Sequence, residues 1–473
     1  MDLTFVKRNR NFFLSLILFI GSILLAFLGA YFGLLVSVLF IGLAVGAALV
    51  IAILFNERYG IYLAYIVSFF IMGLHRFYDF NEIPIAMVIE IFVFVTILSI
   101  AINRKDLRNL KFDYNTVNVL ILIWIAYHFL QILNPVAASR IAWFYAARNT
   151  FLIVIVYFVL SYMTKSERFV ATMLKIWITM TLLAAIYCLK QEYFGLFSFE
   201  NNWLFSNPDR VKLLVTWGKV RKFSFMEGPM VLGISLAYTS VLCFSLLTGP
   251  FAIRNKILLA LAGAIMVWAM FFTGTRTATI LLPVGLIFFA ILTLNRKVLI
   301  AVGIFMILGT GLILAPTGNP NIFIMKTAFR GGEDASMNVR LTNQELIQPF
   351  LQSHPFGAGV GSTGGWGARF SPHTFIGSFP PDSEYLRIAI EFGWVGLLYY
   401  CLMLFFILKM GIDNYFKTKD LRIRTYYVGI LTVTFMTVIA MYPQEALRIP
   451  PTGIFFSMCV AFLYKMEKLQ KFK

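Results

Sequence analysis

The chain is short of charge. Asp, Glu, Lys and Arg make up 13% of its 473 residues against 60% hydrophobic, a balance that excludes a string of soluble domains. Acidic residues are scarcer still, 22 against 40 Lys and Arg, which leaves a formal net charge of +18. There are only four cysteines and four histidines. Cys188, Cys243, Cys401 and Cys459 all fall inside apolar segments without metal-ligand spacing, so they read as small core residues, exclude a disulfide scaffold and identify no redox compartment. Collagen-like or coiled-coil periods, internal repeats and low-complexity segments are missing. The apolar run after Lys7, Arg8 and Arg10 has no small-residue cleavage site, which makes it a retained first helix rather than a removed signal peptide.

What the chain has in quantity is hydrocarbon. It carries 49 Phe, and the uncharged stretch from Asn11 to Asn56 is too long for one span of about 20 residues but right for two. Apolar runs bounded by charge or by Gly, Pro and Asn clusters predict an all-α polytopic membrane protein of about 14 helices, with about 12 as the lower bound. The third and sixth runs, 61–75 and 149–163, are short.

Loop charge then sets the expected orientation. The short basic loops RKDLRNLK, SERF, RNK, NRK and KTKDLRIR all fall on one side, which places both termini in the cytoplasm. The large positive charge is therefore mostly an orientation signal. No basic helix or repeated aromatic platform supports nucleic-acid binding. The whole chain, 1–473, reads as a single integral membrane domain with two long outer segments, a loop at 190–227 and a larger cap loop at 316–391. In the second, the spacing of Leu346, Ile347, Phe350 and Leu351 predicts a short amphipathic helix lying over the bundle.

Three groups of residues on the outer side are candidates for chemistry. Lys219, Arg221 and Lys222 precede Glu227-Gly228-Pro229 at the start of an apolar run; they are either a solvated loop face or an anion site in which guanidinium clamps phosphate oxygens. Arg276 stands in a Thr-Gly-Thr-Arg turn between two apolar runs, either snorkelling to the interface or paired with a ligand or carboxylate. With Arg221 it makes a pair suited to one pyrophosphate.

The third group lies in the large loop. Arg340 opens the amphipathic stretch, which ends in Ser353-His354-Pro355-Phe356-Gly357-Ala358-Gly359-Val360-Gly361. Alternate glycines permit close backbone approach, but no Walker lysine and serine follow them. Pro380-Pro381-Asp382-Ser383-Glu384-Tyr385-Leu386 then precedes Glu391-Phe392-Gly393. Asp382 and Glu384 are a D-x-E pair capable of general-base work or weak metal coordination. Glu90, inside the fourth apolar run, is expected to face the bundle interior and pair with a substrate-site cation, or to be a buried hydrogen-bonded acid. His75 and His128 stand near helix ends as interfacial residues.

The order of a basic loop, a T-G-T-R turn, an arginine followed by HPFGAGVG, and a polar motif ahead of E-x-G-x-x-G resembles the O-antigen ligase and Wzy-type O-antigen and exopolysaccharide polymerase family. The resemblance runs from about Arg221 to Gly396. It implies a helical fold similar to the GT-C-like lipid-dependent glycosyltransferases and an undecaprenyl-pyrophosphate-linked glycan donor. It also implies a glycan or lipid acceptor at the periplasmic face, amid membrane lipids and polysaccharide assembly partners. The family's pyrophosphate-contacting arginines match Arg221 and Arg276, with Lys222 beside them, and its loop arginine matches Arg340. Its catalytic histidine aligns with Asp382, a departure that leaves Asp382, Glu384 and His373 as rivals for the base. His354, Gly357, Gly359, Gly361 and Glu90 are then expected to support the site.

Such a site needs only to stabilise the departing diphosphate and orient the acceptor hydroxyl. Without a D-x-D nucleotide-sugar motif, a lipid-linked donor with no cofactor and no obligatory metal is expected. The expected function is a polysaccharide polymerase joining lipid-linked repeat units. The alternative is a ligase that transfers finished glycan to lipid A core or protein. A flippase or secondary transporter fits less well, because transporters place their unusual residues near the midplane whereas these lie at one outer face.

Overall fold

The structure is a computed structural model, and it describes residues 19–23, 26–27, 29–30, 34–77, 85–103, 113–216, 218–314, 326 and 335–472. The chain divides into two compact units, Met1–Leu63 with Ile91–Asn109, and Ala64–Glu90 with Leu110–Lys473. In the first, helix α1 (Leu34–Phe55), the start of α2 (Glu57–Phe70) and most of α3 (Met87–Asn103) come together. Ser99 donates to the Ile53 carbonyl at 2.8 Å, and Asn103 to that of Leu54 at 2.6 Å.

The second unit holds the remaining elements. Its long helices are α4 (Thr116–Leu130), α5 (Arg140–Met163) and α6 (Glu167–Tyr193). Two short helices, α7 (Ser198–Phe205) and α8 (Pro208–Leu214), lead into a hairpin of β1 (Val215–Thr216) and β2 (Lys219–Val220). Then come α9 (Pro229–Leu246), α10 (Ile253–Phe271), α11 (Arg276–Thr293) and α12 (Arg296–Leu314). The large loop forms α13 (Ala335–Ser353), α14 (Gly364–Phe370) and α15 (Phe375–Ser378). The unit closes with α16 (Glu384–Lys417), α17 (Leu421–Ala440) and α18 (Thr452–Lys465).

Eight helices among the described residues are long and apolar enough to cross a membrane, from Thr116–Leu133 to Leu421–Ala440. The protein is a multi-pass, all-α membrane protein. Of the about 14 runs expected, the first lies largely outside the described residues. The last forms a helix of only 14 residues, about 21 Å long, which is buried almost throughout. The sixth run is longer than its apolar core. Ser139 caps α5 through the Ala142 amide at 3.3 Å, so the helix takes in Arg140 and Arg148 before the apolar part begins.

Burial shows which helices form the interior. In α9, 16 side chains from Pro229 to Leu246 are buried, and α17 is nearly as enclosed. Small residues allow the close approach. Gly233 packs on Thr273 and Thr275, and Gly285 on Met436. Trp177 stacks on Phe455 at 3.7 Å and donates to Thr239 at 2.7 Å, so a buried indole is satisfied without water.

Successive helices run in opposite directions, and their ends form two clusters. At one end, Trp143 donates to the His128 carbonyl at 2.7 Å, the Lys222 amide to Phe272 at 3.0 Å and the Glu384 amide to Met441 at 3.0 Å. At the other, Asn414 donates to Leu463 at 2.9 Å and Arg422 pairs with Glu167 at 3.3 Å. The large loop belongs to the first end. The predicted amphipathic helix is there as α13, with Ile347 fully buried against Phe379 and Ile390, while Leu346 of the same predicted face is exposed.

Candidate functional site

The first end concentrates charge. The 215–220 hairpin, anchored by Leu204, Leu214 and Phe223, delivers Arg221 to the turn between α10 and α11. There its Nε donates to the Thr273 carbonyl at 3.0 Å and its Nη2 to Thr275 Oγ1 at 3.3 Å. Gly274 has φ 59°, a left-handed conformation that favours glycine, and a Cβ there would meet the Arg221 stem at ordinary contact distance. Burial, followed by the positive charge of Arg276, lowers the pKa of Arg221. The structure therefore brings Arg221 and Arg276 together, as the sequence pairs them. Lys222, expected beside them on the anion, instead pairs with Glu192 at 3.3 Å. Arg340 lies on α13, but its side chain is outside the described residues.

A second set of charges joins Glu384, expected as a candidate base, and the motif residue Glu391 to Arg387, Glu445 and Arg448, which have no role in the sequence reading. Arg387 pairs with Glu384, with Glu391 at 3.5 Å and with Glu445 at 3.6 Å, and Glu445 binds Arg448 at 2.7 Å. Three carboxylates thus face two guanidiniums. Charges buried this deeply hold only when each has a close opposite partner. Glu384, Arg387 and Glu391 also line a cavity of 90 Å³ whose walls include Trp124, Phe392 and Tyr400. This set touches the arginine pair through the 443–450 loop, where Gln444 donates to Thr277, next to Arg276, at 3.2 Å.

Each expected base has a distinct place. Glu384 is buried and held by Arg387, which withdraws it from an acceptor hydroxyl. Asp382 is exposed at a left-handed corner with φ 47°, one residue before the Ser383 cap of α16. It lines a shallow groove with Asn343, Gln344 and Tyr442. His373 is exposed in the turn before α15. The D-x-E pair is accordingly split, one carboxylate in solvent and one in the interior.

The expected supporting residues act on the loop itself. His354 stacks on Phe350 at 4.1 Å and its Nδ1 lies 3.0 Å from the Phe350 carbonyl, closing the end of α13. The glycines are places of close approach rather than a phosphate cradle. A Cβ at Gly361 would come within 2.5 Å of the Ala142 carbonyl, and the Gly361 amide donates to Glu391 at 3.1 Å. Gly357 and Gly359 press on the α16 backbone and on Ala137. Glu90 pairs with Arg148 at 3.0 Å, not with Arg221 or Arg276.

Two further residues matter at this end. Arg76 donates to the carbonyls of Ser224, at 2.6 Å, Met226 and Glu227. Its guanidinium lies 4.2 Å from the Phe223 ring centroid, so it fastens the loop after Arg221. Glu227, at the end of that loop, is pushed up to about 7 by burial, with Arg448 and Arg76 opposing the shift. Signals for the missed residues existed: Arg387 shares one helical face with Glu384 and Glu391, and Arg448 is a cation in a short loop between apolar runs.

These features define a multi-pass membrane protein whose polar chemistry is gathered at one end of its bundle around paired arginines. Residues 261–401 match the family model described as O-Antigen ligase, a likeness over that segment which supports the resemblance to O-antigen ligase and Wzy-type enzymes and an activity of that general type. The matched segment contains Arg276, Asp382, Glu384 and Glu391, while Arg221, Glu227, Glu445 and Arg448 reach the site from outside it. No curated protein matches the chain.

Proposed function

We propose that the chain is a glycosyltransferase that moves glycan repeat units from an undecaprenyl-pyrophosphate carrier to a glycan acceptor hydroxyl at the periplasmic face. It thus acts as a polysaccharide polymerase with a GT-C-like helical scaffold and needs no metal. The observation that carries the reading is the approach of Arg221 and Arg276 at the membrane-proximal turns. Two like charges brought together where burial already disfavours charge point to an anion between them. A pyrophosphate diester carries two negative charges next to a lipid tail, which suits a cationic pair on apolar helices. The acceptor hydroxyl attacks the anomeric carbon, the diphosphate departs into the arginine pair, and Asp382 orients the hydroxyl and takes its proton.

The ligase reading, in which the acceptor is lipid A core or protein, is favoured by the description of the matched family. Deletion of the gene followed by analysis of surface glycan length separates the two. Single repeat units left on the carrier mark a lost polymerase, whereas long carrier-linked chains mark a lost ligase; unchanged surface glycan overturns both. The orientation is checked with a cysteine at Ser378, exposed at the site end, and one at Lys417, exposed at the other. In a background lacking native cysteines, an impermeant reagent on intact spheroplasts labels the first and spares the second.

A further inference from the structure

Thr275 Oγ1 accepts from Arg221 Nη2 at 3.3 Å and donates to the Pro229 carbonyl at 2.8 Å. One hydroxyl therefore joins the arginine pair to the Glu227-Gly228-Pro229 segment. The Glu227 backbone is fixed by Arg76 at 3.0 Å, but its side chain is not: Oε2 is buried and has no hydrogen-bond partner among the described residues. A buried carboxylate oxygen left without a partner needs an explanation. On a segment tied in this way to an anion site, an ionised carboxylate repels the anion, whereas a protonated one can donate a hydrogen bond to it.

We propose that Glu227 is protonated when the lipid-linked donor is bound, hydrogen-bonds to a pyrophosphate oxygen, and gives up its proton to the leaving diphosphate. The proposal rests on the reading of Arg221 and Arg276 as the pyrophosphate site and adds the acid that complements the base. As the acceptor oxygen bonds to the anomeric carbon, its proton passes to Asp382. The bond from that carbon to the phosphate oxygen breaks, its electron pair stays on the oxygen, and the proton of Glu227 goes there. Glu227 is left ionised and Asp382 neutral, and exchange with solvent resets both.

Burial raises the pKa of Glu227 to about 7, which makes both forms accessible near neutrality. An arriving dianion favours the protonated form further. The charged groups acting on it are Arg448 from the 443–450 loop and Arg76 from the 71–76 turn; Arg221 and Lys222 stand on the same loop in sequence, and Arg276 acts on Arg221 from the facing turn. Behind these stand Glu200 and Tyr187 near Arg76, Glu445 on Arg448, and Glu192 on Lys222. His75 is a further ionisable group on the 71–76 turn, so a His75→Gln background serves as control.

The test measures binding of a short-chain prenyl pyrophosphate bearing N-acetylglucosamine to the full chain in nanodiscs between about pH 5.5 and 8.5, a range in which a disubstituted pyrophosphate does not titrate. Wild type is expected to lose affinity about tenfold per pH unit above the Glu227 transition, with or without His75. Glu227→Gln is expected to bind at the low-pH wild-type level throughout while transfer slows by about tenfold or more. Glu227→Asp should keep the pH slope. Binding without a slope in wild type, the same slope in Glu227→Gln, or full-rate transfer by Glu227→Gln overturns the assignment of Glu227 and leaves the arginine pair standing. Absence of binding by wild type at every pH removes the arginine-pair reading, and the role of Glu227 with it.

Discussion

Asp113 and Glu227 are both carboxylates just ahead of an apolar helix, at opposite ends of the bundle. A hydrogen bond from Lys468 is the main cause holding the Asp113 carboxyl below its usual range, while burial holds Glu227 above it. The same division runs through their neighbours. Away from the site, Lys409 and Asp413 pair at 2.7 Å with about half of each side chain exposed. At the site, Arg387 is shared among three carboxylates and Arg221 lies beside a second cation. Charges that only fix a membrane protein in its bilayer can sit in water beside an opposite partner. Buried charges with shifted pKa values are concentrated at the other end, the pattern that functional sites commonly show.

The contrast is broken most sharply at Asp382. Replacing it with Asn should slow transfer by about 10²–10⁴-fold without weakening donor binding; normal polymerisation by this variant alongside loss in His373→Ala would move the base to His373. Arg387→Met strands two buried acids, Glu384 and Glu391, and is expected to destabilise the fold by about 3–5 kcal/mol, read as a lowered unfolding midpoint in detergent. Arg276→Lys keeps the charge but loses the planar fork, and transfer should fall by about 10–100-fold at matched expression, the equivalent of one charge-assisted hydrogen bond. Wild-type turnover there would argue that charge alone suffices.

A pH scan of thermal unfolding sharpens the comparison. For Glu227 the folded-state value is raised, so its contribution to stability is full below 4.5 and is lost as pH rises toward about 7. Asp113 has the opposite sign: its contribution is present above the unfolded value and is lost as pH falls. Glu227→Gln should therefore flatten the neutral side of the profile and Asp113→Asn the acid side. The smallest effect is expected at Lys409→Ala, within about 0.5 kcal/mol and with unchanged transfer.

Much of this arrangement is legible in the sequence. Arg221 and Arg276 stand out because cations are rare beside outer apolar runs, and the long helices follow from unbroken hydrocarbon. The charged start of α5 is hidden because Arg140 and Arg148 read as loop residues until Ser139 is seen to cap them. The Arg387 cluster is hidden for another reason. Its five members come from α16 and the 443–450 loop, and only folding puts Glu445 next to Arg387. Lys222 is indistinguishable from Arg221 in sequence; its diversion to Glu192 depends on the path of the hairpin.

The left-handed corner at Asp382 limits which residues the position can use. Apart from glycine, the side chains that tolerate positive φ best are Asn, Asp and His. Of these only Asp and His can take up a proton near physiological pH. If Asp382 is the base as proposed, a backbone that turns this way before α16 offers two side chains for that role, the carboxylate found here and the imidazole expected from the ligases that the chain resembles. Asp382→His keeps a residue that tolerates this corner, and neither the Ser383 cap nor the packing of α16 depends on which of the two side chains stands there.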